Sequence, residues 1–376
     1  MKTEIPEGLK KELPQTPWGK TLMATPVVMT VVATMLAGLA SSEMTRAQYD
    51  RALAAQQQSK AGDQWSFFQA KRLRGALQRN TLELMQLGMD LPSFRPPEVL
   101  HLLTRLGERL SEWDTQAREA LGRSTLPPVA RQGVERYLAE AERRQAEALQ
   151  LKEDAERTMA SEGGRGALAR LQVGELPPLA AGPETPQPVR MAMEAVEASA
   201  PDAEVRALLL QFDAGTVEAA LSAARNQVKA LEETTGPVND GIETWEKLLG
   251  RRAALLGEWP AGTARSDEAR VVVERAVERS FSLARLRYNA MRYDAEARLN
   301  QAIANLYELQ VRRSNMSAER HHARSQRFFF GMLAAQMAVI IATFAIAARQ
   351  RNLLWSLAAA AGIAAILLSI YVYVFV

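Results

Sequence analysis

Residues 328–348 read FFFGMLAAQMAVIIATFAIAA, and residues 353–376 read LLWSLAAAAGIAAILLSIYVYVFV. Neither stretch holds an Asp, Glu, Lys, Arg or His. A helix rises ~1.5 Å per residue, so each is long enough for the ~30 Å hydrocarbon core of a bilayer. The four residues between them, Arg349-Gln350-Arg351-Asn352, force the two into a tight antiparallel hairpin of spans. A third stretch, Thr21–Ala40, reads TLMATPVVMTVVATMLAGLA and is also uncharged. Its threonines and Pro26 lower its hydropathy, and Gly38-Leu39-Ala40 has the small residues of a cleavage site. The mixed-charge stretch before it is long for a signal-peptide n-region, so it reads as an uncleaved anchor. Trp18 precedes the first span, Trp355 opens the third, and Tyr371 and Tyr373 close it, as interfacial aromatics do.

Working outward, the chain has 376 residues, no cysteine and three histidines. Disulfides, thiolate nucleophiles and cysteine-based metal sites are therefore excluded. Charge is confined to residues 1–20, 41–327 and 349–351. The basic surplus sits in the tail (Lys2, Lys10, Lys11, Lys20) and the hairpin link (Arg349, Arg351), while residues 41–327 are formally neutral. No nucleic-acid footprint is present. Three spans place tail and link on one side, and the positive-inside rule makes that side the cytoplasm. Residues 41–327 are then expected to be periplasmic or otherwise extracytoplasmic, on a multi-pass protein of the inner (plasma) membrane. Arg312, Arg313, Arg320, Arg324 and Arg327 crowd the outer side of span two against this reading, but long segments translocate largely regardless of charge.

The expected fold is an all-α membrane protein with a large, coiled-coil-like helical segment between span one and the hairpin. Its parts are a tail (1–20), span one (21–40), a juxtamembrane helix (41–90) and a helical head (91–265). A long return helix (266–327) leads to spans two (328–348) and three (353–376). Ala, Leu, Glu, Gln and Arg dominate the segment, and no alternating β-branched run is present. Breaks are expected at Leu91-Pro92 through Pro96-Pro97, at Pro127-Pro128, Gly163-Gly164, Gly236-Pro237 and Pro260-Ala261-Gly262. Residues 174–188, GELPPLAAGPETPQP, hold five prolines and read as an extended linker. Leu73, Leu77, Leu84 and Leu87 share a seam with Asn80. On the return helix Val277, Phe281, Ala284, Tyr288, Met291 and Ala295, then Leu299, Ala302, Leu306 and Leu309, form a heptad pattern with one stutter. Heptads this short fit an antiparallel stalk or an ordinary bundle. By helix rise alone, Trp65 falls opposite Ala302 and Ile303.

The string Ala61-Gly62-Asp63-Gln64-Trp65-Ser66-Phe67-Phe68-Gln69-Ala70-Lys71, the run Glu319–Phe328 (ERHHARSQRF) and the basic hairpin link with Trp355 carry a resemblance. Together they resemble the bacterial membrane proteins of domain-of-unknown-function family 4337, over about residues 18–90 and 285–376. The resemblance implies one N-terminal span, a helical segment and a C-terminal hairpin. It implies no activity, and residues 97–262 look like an enlargement on the usual member.

No phosphate-binding, dinucleotide-binding, nucleophile-elbow or zincin motif occurs. Gly163-Gly164-Arg165-Gly166 lacks the Lys-Ser/Thr of a phosphate loop. His321 and His322 point to different faces of one helix, so they do not chelate together. They read as headgroup-facing, with pH sensing as the functional alternative. His101 lies within an apolar helix. Trp65, Phe67, Phe68 and Asn80 are expected to pack on the return helix or contact a partner. No catalytic, cofactor or metal residue is assigned, and no cofactor is expected. Two functions stay open: a non-enzymatic scaffold or adaptor that self-associates, its protein partner unknown, and a subunit of an oligomeric channel lined by Gln336 or Thr343. The spans lack the ionisable groups of ion-coupled pumps, and Ala358, Gly362 and Ala365 allow close helix packing.

Overall fold

The computed structural model describes residues 17–87, 93–122, 126–176, 185–257, 268–347 and 351–375. Among these, every regular element is a helix. In chain order they are α1 Pro17–Gln86, α2 Pro96–Thr104, α3 Leu106–Gly122, α4 Pro128–Ala139, α5 Ala141–Ala160, α6 Glu162–Val173, α7 Gln187–Glu197, α8 Asp202–Leu209, α9 Ala214–Gly257, α10 Glu268–Ala347 and α11 Arg351–Phe375. Three helical stretches, Ala24–Gln86, Val271–Ala345 and Leu353–Val374, each hold a window long and apolar enough to cross a membrane. Three candidate spans point to a membrane protein. The tail before Pro17, the breaks expected at 91–92 and 260–262, linker residues 177–184 and link residues 348–350 lie outside the described residues.

The chain divides into two compact units, and α1 and α10 contribute to both. The first comprises residues 1–61, 188–217 and 306–376. Its apolar helices pack through small side chains. Ala335, Ala338, Ala342 and Ala345 of α10 and Ala358 and Ala365 of α11 are fully buried. Met29 and Ala33 of α1 join Ala335, Ala338 and Ala365 in one cluster. Small residues let helix backbones approach closely where lipid removes the hydrophobic drive between helices. A Cβ on Gly362 would meet the Met29 sulfur at 3.0 Å. The polar threonines of span one are satisfied locally: Thr30 and Thr34 hydroxyls donate to the carbonyls of Pro26 and Thr30, at 2.8 and 2.9 Å.

The second unit comprises residues 62–187 and 218–305. Its core joins Leu103, Leu106 and Leu110 to Leu151, Leu168, Trp245, Phe281 and Tyr288. Trp245 is fully buried, and its indole N–H donates to the Gly164 carbonyl at 2.9 Å.

Two expected breaks are corrected. α9 runs unbroken through Pro237. Packing outweighs the missing proline N–H, because Leu231, Thr235, Val238, Ile242 and Trp245 are all buried along α9. The Gly163-Gly164 break falls two residues earlier, at Ser161, whose side chain accepts from Gly164 N and caps α6. The glycines serve close approach: a Cβ on Gly241 of α9 would lie 2.5 Å from the Gly163 carbonyl oxygen. The start of the proline-rich linker is a helix stop, since Gly174 has φ 67° and its N–H returns to Arg170 O. Its last two residues, Gln187 and Pro188, already belong to α7.

Candidate functional site

α1 buries a different face from the one its leucines mark. Ala33, Ala40, Ala47, Ala54, Ala61 and Gly75 recur at multiples of seven and are buried, with half-buried Phe68 completing the series. On α10 the buried Ala290, Ala297, Ala304, Val311, Ala318 and Ser325 do the same. The two series meet antiparallel at two points. In the first unit, the Ser325 hydroxyl donates to the Ala40 carbonyl at 2.8 Å. In the second, a Cβ on Gly75 would lie 3.7 Å from the Ala290 carbonyl. In that unit Lys71 pairs with Glu296, and the Arg79 guanidinium makes a two-pronged pair with Asp294 at 2.8 and 3.1 Å.

That register places Phe68 level with Ala297 and Trp65 level with Asn300. The rise-only estimate of Ala302 and Ile303 assumed that Ala40 and Phe328 leave the apolar zone together, whereas Ala40 is level with Ser325. Trp65 and Phe68 are half-buried and meet edge to face at 5.5 Å. Phe67 is 55% exposed and therefore does not anchor α1 within the chain. Asn80 is exposed, as are Leu73, Leu77, Leu84 and Leu87 at 55–76%. The return-helix pattern is likewise incomplete: Val277, Phe281, Tyr288, Leu306 and Leu309 are buried, but so are five consecutive residues from Ile303 to Tyr307. α10 is thus covered on several sides there.

Where the charged sequence gives way to the spans, the first unit is laced with polar contacts. His321 Nδ1 lies 2.6 Å from the buried Glu43 carboxylate, which Arg46 also approaches at 3.3 Å. The Gln326 amide nitrogen lies 3.1 Å from His322 Nε2. Two arginines of the outer cluster are engaged: Arg312 pairs with Asp202 at 2.6 Å and with Glu308, and Arg313 donates to the Phe212 carbonyl at 2.6 Å. Arg320 and Arg327 are exposed. Gln336 and Thr343 face outward from the apolar bundle, and the Thr343 hydroxyl is satisfied by the Val339 carbonyl at 2.7 Å.

In the second unit, Arg109 and Arg252 are buried beside one carboxylate, Glu274, which pairs with both, and Arg252 also pairs with Glu278. They border a cavity of about 590 Å³ whose rim carries the exposed His101. The arginine–glutamate cluster balances its own charge. Tyr137 is buried under the Arg144 guanidinium. Burial, and then the neighbouring Asp114 carboxylate, push its phenol well above the ordinary tyrosine value. Burial likewise raises Tyr288. Among the described residues, no three His, Asp or Glu side chains are placed to hold a metal ion.

Residues 20–119 match the model of a family described as a domain of unknown function, DUF4337. The match supports the family assignment that the juxtamembrane string implied. The DUF4337 match holds span one, the small-residue series of α1 and the Trp65–Phe68 pair, and it runs on through α2 into α3. It thus reaches past residue 90, into sequence that the resemblance had left as an enlargement. It does not include the C-terminal hairpin. No curated protein and no solved structure matches the chain.

Proposed function

We propose that this DUF4337 protein is a membrane-anchored, non-enzymatic helical scaffold that self-associates. One observation carries the reading. The stripe Leu73-Leu77-Leu84-Leu87 is solvent-exposed in a formally neutral, charge-rich segment. The opposite, small-residue series of α1 is the one used within the chain. An exposed apolar stripe of this kind marks an interaction surface. Membrane anchoring would hold α1 of two copies parallel, so each Asn80 would meet its own counterpart across the seam. A buried Asn fixes register and oligomer state at some cost in stability. The α1–α10 pair reads as an antiparallel coiled-coil stalk, since strict seven-residue repeats impose supercoiling. The reading places the protein in the inner (plasma) membrane with residues 41–327 outside.

The test is native mass of the detergent-purified full chain. The parent should be a defined oligomer. Asn80→Leu should raise its melting temperature and broaden the distribution of oligomers, and Leu77→Lys should dissociate it. A strictly monomeric parent would remove the scaffold reading.

Gln336 supports a second reading, an oligomeric channel. It is exposed on a span face otherwise formed by Leu333, Met337, Ile340 and Phe344, where an unpaired amide is unfavourable in lipid. The Ala-packed interior of the three apolar helices favours the scaffold, so Gln336 and Thr343 would line a lumen only between copies. Conductance across planar bilayers that is altered by Gln336→Leu would favour the channel.

A further inference from the structure

A second cavity lies in the first unit, where the charged sequence meets the apolar spans. It is an open groove of about 590 Å³ between α1 and α10. One end is polar, with Ser41, His322 and Gln326; the other is apolar, with Phe329, Phe330 and Met332. The change coincides with Arg327, the last charged residue before span two. A groove with this polarity at this depth spans the boundary between headgroups and acyl chains.

The polar end has an unmet hydrogen-bonding need. An amide nitrogen only donates, so Gln326 makes His322 Nε2 an acceptor. In the neutral ring the proton is then on Nδ1. That nitrogen is buried and has no partner. The ring lines the groove, and a turn of the imidazole would bring this donor to an acceptor lying there, such as a phosphate oxygen. Charge around the groove has the same sense. Arg320 and Arg327 are exposed on the turns that carry His322 and Gln326, and Arg324 is half-buried. The nearby carboxylates are already engaged, Glu43 by His321 and Arg46 and Glu319 by Arg206.

We propose that this groove binds one phospholipid with an anionic headgroup, its phosphate at the His322–Gln326 end and an acyl chain along Phe329, Phe330 and Met332. The inference rests on the membrane reading and adds a specific lipid site to it. The site would fix α1 and α10 at the membrane edge.

The experiment has two arms. Alkaline carbonate extraction of membranes from expressing cells tests insertion alone. The full-length protein is also reconstituted in equal phosphatidylglycerol and phosphatidylcholine, re-extracted in mild detergent, and its retained lipid is counted by native mass spectrometry. We expect one phosphatidylglycerol per chain, enriched about fivefold over phosphatidylcholine, because both carry the phosphate but only phosphatidylglycerol keeps a net negative charge beside Arg327. Ala37→Phe, which fills the groove from α1, should abolish retention of either lipid with helical content unchanged. Arg327→Gln should keep a bound lipid but lose the preference, and His322→Ala should lower the retention of both lipids. Equal retention of the two lipids, or retention that survives Ala37→Phe, overturns the site while leaving the membrane reading intact. Release of the chain by carbonate overturns both.

Discussion

Two glycines of α9 separate close packing from mere tolerance. A Cβ on Gly241 would lie 2.5 Å from the Gly163 carbonyl oxygen and 2.7 Å from Ala167 Cβ, and neither backbone nor Cβ can swing aside. Gly241→Ala should cost about 1–3 kcal/mol, the usual range for overpacking. Gly250 has nothing within 4 Å of its Cβ position. Gly250→Ala should stabilise by roughly 0.5–1 kcal/mol, because alanine favours an exposed helix. Thermal melts of the two variants check this pair of opposite signs. The buried phenols give a pH dependence. Tyr137 and Tyr288 are held neutral in the folded chain, with pKa values above the ordinary one. Their stabilisation is complete below about pH 10, the unfolded value, and is lost as pH rises beyond it, because there the folded state keeps protons that the unfolded state has released. The melting temperature of the parent should therefore fall more steeply above about pH 10 than that of Tyr137→Phe, Tyr288→Phe. Parallel alkaline profiles would contradict this.

At the scale of elements, the α1–α10 register is open to direct measurement in a chain free of cysteine. Cysteines at Phe68 and Ala297 should crosslink under oxidising conditions. Phe68 with Arg287 should not, since ten further residues of helix add ~15 Å. Efficient crosslinking of the second pair in place of the first would refute the register. The pairing also explains what the sequence could and could not reveal. The three long apolar helices were legible because uniform apolarity over 20 residues has few other readings. The helical class was legible from the many Ala, Leu, Glu and Arg residues. The seam used within the chain was not legible, because Leu73, Leu77, Leu84 and Leu87 carry the strongest apolar periodicity. Periodicity says that a stripe exists, not which surface covers it. The seven-residue series from Ala33 to Gly75 was present in the sequence, but alanine reads first as a helix former, so its role in close packing was not apparent. Pro237 misled for a related reason: the local breaker signal is real, and burial of Ile242 and Trp245 beyond it outweighs it. The His321–Glu43 contact joins residues 278 positions apart, a distance at which one sequence offers no pairing signal.

The whole molecule is constrained by the number of its apolar helices. Three crossings would put the lysines of the tail and the arginines of the hairpin link on one side, and by the positive-inside rule their basic surplus would make that side cytoplasmic. The arginines before span two are the opposing evidence, and the folded chain supplies other reasons for two of them. Arg312 is tied to Asp202 and Glu308, and Arg313 to the Phe212 carbonyl. Residues needed for such contacts are weak witnesses to orientation. A membrane-impermeant thiol reagent applied to intact cells should therefore label a cysteine at Glu156, an exposed position on α5, and should leave one at Asn352 unlabelled until the cells are opened. The reverse pattern would turn the large helical segment toward the cytoplasm. It would leave the Leu73–Leu87 stripe and the lipid groove intact as surfaces, but the groove would then draw its lipid from the inner leaflet and any protein partner would be cytoplasmic.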